Sequence, residues 1–257
     1  MSATLFFKLL YVELIPFLEI FKKRFIDTSA WILSRALVYV FLFPVIGAPV
    51  EFVGIFFAGA AFTGMMFEFV GTTVHLVDDI EGVGLVNYEL SIPISQKLIL
   101  VKMLVAHTVR ALSIAVISVL IAKIAMWNAF DLSEMSLFLL IVALLCMGFF
   151  SGAFTLLVSS RLHDVSDISF MWKSWVSPLF LAGGNLFPWR AAVTAFPKFG
   201  WIFLINPFMH ANELIRASLL GQEGYFPFWY SFLILTAFSF LLMCGAFRSF
   251  KKRLDLL

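Results

Sequence analysis

The chain has 257 residues and a mass of 29.0 kDa; 62% of its residues are hydrophobic, 13% are charged, and the mean hydropathy is +1.00. A water-soluble fold would leave much of its 32 Phe exposed and prone to aggregation, so the composition excludes a soluble domain and requires an integral membrane protein. The net charge of +2, from 18 Lys and Arg against 16 Asp and Glu, points to neither nucleic acid nor an acidic partner.

In chain order, Phe6, Phe7, Leu10, Leu14, Phe17, Leu18, Phe21 and Phe25 recur at helical spacing, with Lys8, Glu19, Lys22 and Lys23 largely opposite. That pattern predicts an amphipathic helix over 1–28 lying in the membrane interface. Its basic cluster follows an apolar stretch, which is not the order of a cleaved signal peptide.

A bilayer crossing needs about 20 mostly apolar residues. Residues 29–48, 52–76 and 103–125 satisfy this, with Gly47 and Pro49 turning the chain between the first two. The charge-free runs between Glu134 and Arg161 and between Glu223 and Arg248 supply two more, and 170–186 supplies another. The expectation is an all-α membrane protein of six spans in one domain over 1–257, with spans one to four in 29–158 and spans five and six in 159–257. Cytoplasmic segments favour Lys and Arg. Twelve of them fall on the side of the termini (four in 1–28, two in 77–102, two in 159–173, four in 248–257) against Arg190, Lys198 and Arg216 on the other. Both termini are therefore expected in the cytoplasm.

Two connecting segments carry more than a loop needs. The stretch 78–93 holds four acidic residues, Asp78, Asp79, Glu81 and Glu89, among Leu85, Val86, Tyr88 and Leu90, and ends at Pro93. Acidic residues on a cytoplasmic face repel anionic headgroups, so the segment is shaped for a protein partner. Residues 186–225 are too apolar for a free loop and are broken by Pro188, Pro197 and Pro207. Such backbone enters a membrane only where protein or a cavity satisfies it, which predicts a re-entrant hairpin. Asn206-Pro207 then opens a helix carrying His210, Glu213 and Arg216, the last two spaced to pair on one face.

Ionisable residues within spans are functional candidates. Glu68 and Arg110 both lie roughly 10 to 18 Å deep at ~1.5 Å per residue and are expected to pair. Arg35 is expected to snorkel to headgroups, and His75 and His107 to serve packing, since they lack a ligand set for a metal. Gly148-x-x-x-Gly152 suits a close helix approach. Cys146 and Cys244 sit in apolar runs and suggest no disulfide. Trp172, Trp175, Phe180 and Phe187 could line a path on which sugar rings slide, the alternative for the chain's tryptophans being an aromatic belt.

The order of amphipathic helix, six spans, acidic helix ending in Ser91-Ile92-Pro93-Ile94-Ser95 and re-entrant hairpin resembles the permease subunits of type-2 ABC exporters over nearly the whole chain. Glu81-Gly82 through Tyr88-Glu89-Leu90 to Pro93, with Lys102 beyond, looks like the family's coupling helix. Asn206-Pro207-Phe208-Met209-His210-Ala211-Asn212-Glu213-Leu214-Ile215-Arg216, with Gly221, looks like its run before the final span. Length and this second motif look most like the capsular polysaccharide, O-antigen and Nod-factor permeases, with Gln96 departing from a position that is often basic. The resemblance implies a dimer of permeases in a bacterial cytoplasmic membrane, each docked on an ATP-binding subunit through Asp79, Glu81, Gly82, Leu85, Tyr88, Glu89 and Pro93. It implies ATP and Mg on that subunit and no cofactor on this chain. No phosphate-binding Gly-x-x-x-x-Gly-Lys-Ser/Thr is present; Gly54, Gly59 and Gly64 have the spacing but not the Lys. The competing class is an intramembrane enzyme acting on lipids or lipid-linked sugars, with His163 and Asp164 or Asp167 as its acid/base group; the third is a channel subunit that needs no ATPase.

Overall fold

The structure, a computed structural model, describes residues 3–47, 52–81, 86, 88, 89, 95–162 and 164–254. All regular elements among them are helical. Helix α1 (Ala3–Ile46) is continuous through Pro16, so the expected interfacial helix and first span form one rod. A proline removes one main-chain donor and crowds the preceding turn. Contacts of Glu13, Phe17 and Arg24 with the neighbouring helices hold the rod together across it. Its apolar portion is Phe21–Ile46, and it ends in a turn at Gly47, whose φ of +63° suits glycine.

Helix α2 (Phe52–Glu81) is the centre of the bundle: 72% of its apolar window is buried, against 11% for α1. Helix α3 (Gln96–Ala125) packs on α1, α2 and α4 (Leu137–Ser159). Lys123 closes the far end of α3 by donating to the carbonyls of Trp127 (2.9 Å) and Phe130 (2.8 Å). The α3–α4 contact runs along Gly148 and Gly152. A Cβ on Gly148 would meet Leu112 Cγ at 2.8 Å, and one on Gly152 would meet Thr108 Oγ1 at 2.9 Å and the Leu104 carbonyl at 3.0 Å. Only glycine lets the helices come this close.

The run 170–186, expected to cross, is not a single regular α-helix. Helix α5 (Val165–Met171), capped by Asp164, passes into a π turn at Trp172–Val176 and then α6 (Ser177–Leu181). The chain turns at Gly184, with φ +75°. Helix α7 (Trp189–Ala195), a 3-10 turn (Gly200–Ile205), α8 (Pro207–Leu219) and α9 (Phe228–Leu254) complete the chain. Among the described residues, five helices are long and apolar enough to cross a membrane: α1, α2, α3, α4 and α9. Helix α9 packs on α4 and α8 and, like α1, presents most of its apolar surface outward, with only 22% of its window buried.

Candidate functional site

Two polar clusters interrupt this apolar bundle. The first is a cavity of about 360 Å³ where the N-terminal third of α1 meets α2 and α3, lined by Glu13, Arg24, Glu68, His75, Asp79 and Arg110 among others. Charges of both signs converge here because α1 runs antiparallel to α2 and supplies the partners. Glu68 pairs with Arg24 (Oε2 to Nη1, 3.4 Å) and accepts a hydrogen bond from Thr72 (3.1 Å). Arg110 donates to the Glu13 carbonyl (2.7 Å) and approaches its carboxylate (3.4 Å). The expected Glu68–Arg110 pair is therefore replaced by two pairs with α1, although both residues face one cavity. Burying α1 residues that an interfacial helix would leave wet is what changes the partners. His107 also lines the cavity and is buried, whereas His75 is exposed.

Beside the cavity, Lys102 on α3 is enclosed between two carboxylates. Its Nζ lies 3.0 Å from Glu13 Oε2 and contacts both oxygens of Glu89. Burial pushes the Glu13 carboxyl up, but Lys102 and the other neighbouring positive charges outweigh this and hold it below the ordinary carboxylate range. Glu89 goes the other way, because its burial outweighs the Lys102 hydrogen bond and charge and leaves its carboxyl raised. Glu89 was expected to face a partner and instead turns inward, with no exposed surface; Tyr88 beside it is 63% exposed. Asp79 accepts from the Val86 amide (2.9 Å). Gly82, Leu85, Pro93 and the Glu81 side chain lie outside the described residues.

The second cluster is α8. Asn206 caps it by accepting from Phe208 N (3.0 Å), and Pro207 occupies its first turn, as its opening dipeptide predicts. Every residue from Phe208 to Leu219 is buried, including His210, Asn212, Glu213 and Arg216. Glu213 and Arg216 meet at 3.3 Å, and both then reach for broken backbone. Arg216 donates to the carbonyls of Gly184, Asn185 (3.3 Å) and Phe187 (3.1 Å), while Asn212 donates to Gly183 O (2.9 Å). Glu213 accepts from the amides of Trp189 (3.0 Å) and Phe226 (2.7 Å). His210 stands 2.8 Å from Leu204 O and 3.2 Å from Ser231 Oγ. The helix acts as a splint: its polar side chains satisfy the donors and acceptors that the non-helical stretches on either side cannot pair among themselves.

From the opposite side Arg35 completes the splint. It is 95% buried and does not snorkel; its Nη1 donates to Phe56 O (2.6 Å) and its guanidinium lies 4.6 Å from the centre of the Phe56 ring. The Asn185 amide satisfies its neighbours when its oxygen faces Arg35 Nη2 (3.2 Å) and its nitrogen faces Thr63 Oγ1 (2.8 Å) and Gly59 O (3.2 Å). Gly59 permits this, since a Cβ there would stand 2.6 Å from the Asn185 carbonyl.

The four aromatic path candidates differ in their surroundings. Trp175 is exposed, Trp172 is half-buried, Phe180 stacks on Phe62 at 6.1 Å, and Phe187 meets Phe203 edge-on at 5.5 Å. None of them lines the charged cavity. The enzyme reading rested on His163, which lies outside the described residues.

No curated protein and no solved structure matches the chain. A family assignment nevertheless follows from the sequence, since residues 17–220, from α1 to the end of α8, match the ABC-2 type transporter family. A multi-pass helical bundle with a buried polar splint and an intramembrane charge network accords with a moving membrane subunit, and the match covers most of its length. The chain belongs to the ABC-2 type transporter family and is a membrane permease component of an ABC transporter, a class whose members pair with an ATP-binding subunit.

Proposed function

We propose that this permease moves an amphipathic cargo, a polysaccharide or lipid-linked glycan, out across a bacterial cytoplasmic membrane, driven by ATP hydrolysed on a separate subunit. In this reading 78–93 is the coupling helix that docks on the ATPase, and both termini face the cytoplasm with it. The observation that carries the reading is the bridge from Glu89 through Lys102 to Glu13. It joins the acidic segment to α3 and α1, so that a displacement of the segment as the ATPase subunits close is passed to two long helices, a ligand-biased two-state change. Tyr88, exposed beside the inward Glu89, is the outward contact.

Three finer features belong to the same proposal. The stretch Val165–Leu181 completes a sixth crossing by local thinning of the bilayer. The segment 186–225 is re-entrant, supported by the side chains of α8 that satisfy its broken backbone. Two copies pair, and the exposed apolar residues of α1, among them Leu37, Phe41 and Val45, are the available surface. The glycan class rests on the resemblance of length and of the Asn206–Arg216 motif to the polysaccharide permeases.

Purification of the tagged chain from native membranes in mild detergent tests the proposal. An ATP-binding subunit is expected to accompany the wild-type chain and to be lost when Glu81→Lys and Tyr88→Ala are combined. Absence of any ATPase from a wild-type preparation that keeps its helical content and single gel-filtration peak would overturn it.

A further inference from the structure

Where α3 begins and α9 ends, a second cavity of about 570 Å³ has a different electrostatic character from the first. Lys97, Arg248 and Lys251 line it, none of its described lining residues is acidic, and Leu100 and Phe247 form its apolar wall. The three basic residues are exposed, and no carboxylate among the described residues pairs with them. The Ser95 side chain does not cap the first turn of α3, so the positive end of that 30-residue helix adds to the field. The charged cavity between α1, α2 and α3, by contrast, balances its arginines with Glu13, Glu68 and Asp79.

The depth of the site narrows its occupant. Gln96 is the first residue of one apolar span and Lys252 the last of another, so the cavity sits where hydrocarbon gives way to headgroups. We propose that it binds the phosphate of an acidic phospholipid. Lys97, Lys251 and the forked guanidinium of Arg248 hold the phosphodiester, and an acyl chain runs along Leu100 and Phe247 between α3 and α9. A zwitterionic lipid brings an ammonium against these three cations and binds more weakly. Basic pockets between membrane helices serve acidic headgroups in this way. A lipid wedged between α3 and α9 would bear on the helix that carries Lys102.

The test is native mass spectrometry of the full chain after delipidation and titration with phosphatidylglycerol or phosphatidylcholine of matched chains. Preferential retention of phosphatidylglycerol is expected, falling about fivefold for each of Lys97→Gln, Arg248→Gln and Lys251→Gln. Lys22→Gln, which removes an exposed charge on α1, is expected to leave retention unchanged; an equal loss there would mean a diffuse field and overturn the proposal. Equal retention of the two lipids, or undiminished retention by the triple variant, would also overturn it. Displacement of the lipid by inorganic phosphate alone would make this a site for soluble phosphates, and a triple variant that keeps its lipid but loses a co-purifying ATPase would make it a protein contact. Either result would replace the lipid reading.

Discussion

Lys102 Nζ lies 3.0 Å from Glu13 Oε2, joining residues 89 positions apart in the chain, and the same ammonium is bonded to Glu89. All three groups are buried or nearly so. Removing the ammonium leaves two carboxylates without their main partner in a poorly solvated place, a loss of about 3 kcal/mol or more. Lys102→Met is therefore expected to lower the melting temperature in detergent well beyond Glu89→Gln, which keeps a hydrogen-bonding group at its site. Under the proposed function, Glu89→Gln should preserve assembly while weakening the coupling of ATP hydrolysis to export, measured as ATPase activity against transport in proteoliposomes.

The two carboxylates should also report opposite pH dependences. The Glu13 carboxyl is lowered in the folded chain, so its contribution to stability is present above its unfolded value and lost as pH falls through its folded value. The Glu89 carboxyl is raised, so the folded chain holds that proton more tightly than the unfolded one. Its contribution is present at low pH and is lost as pH rises from the ordinary carboxylate range through its folded value. Melting temperature followed across the acid range should show Glu13→Gln losing the acid-side decline and Glu89→Gln losing the decline at higher pH.

Arg216 supports three carbonyls and Glu213 at once. Arg216→Lys keeps the charge but not the fork, and it should cost roughly 2 kcal/mol, from two or so unmade hydrogen bonds to buried groups. Arg216→Ala should cost more, about 3–5 kcal/mol, by leaving Glu213 without its cation. Monodispersity on gel filtration and yield of folded chain are the measurements. A substrate-binding role would instead leave both unchanged while export fell.

Gly152→Ala forces a Cβ to within 3.0 Å of both the Leu104 carbonyl and Thr108 Oγ1. The α3–α4 pair must separate, at a cost of about 1–3 kcal/mol. Gly47→Ala meets open space and pays only for its left-handed backbone, about 1 kcal/mol. Thermal unfolding of the two variants should rank them in that order.

Hydropathy and local chemistry determined much of this protein from sequence alone. They identified a helical membrane chain, the neighbourhoods of α1 to α4 and α9, the Asn206-Pro207 start of α8, and the i,i+3 spacing at which Glu213 and Arg216 meet. These are properties of contiguous residues, where composition and the 3.6-residue period are sufficient. Which charge meets which was decided by tertiary structure. Glu68 and Arg110 share a depth, but α1 lies between their prospects and supplies Arg24 and Glu13, a position that no periodicity in residues 1–28 records. Arg35, expected to reach headgroups, turns inward because a buried guanidinium is stabilised only by acceptors, and it finds them in Phe56 O and Thr63 on the neighbouring helix α2 and in Asn185, 150 residues away at the turn after α6. The run 170–186 reads by hydropathy as one uniform segment, whereas its helical part stops at Leu181 and a turn at Gly183-Gly184-Asn185 follows, whose carbonyls find Asn212 and Arg216 on α8. Pairing across the fold depends on where helices pack, and packing is the one thing that hydropathy along a single chain does not encode.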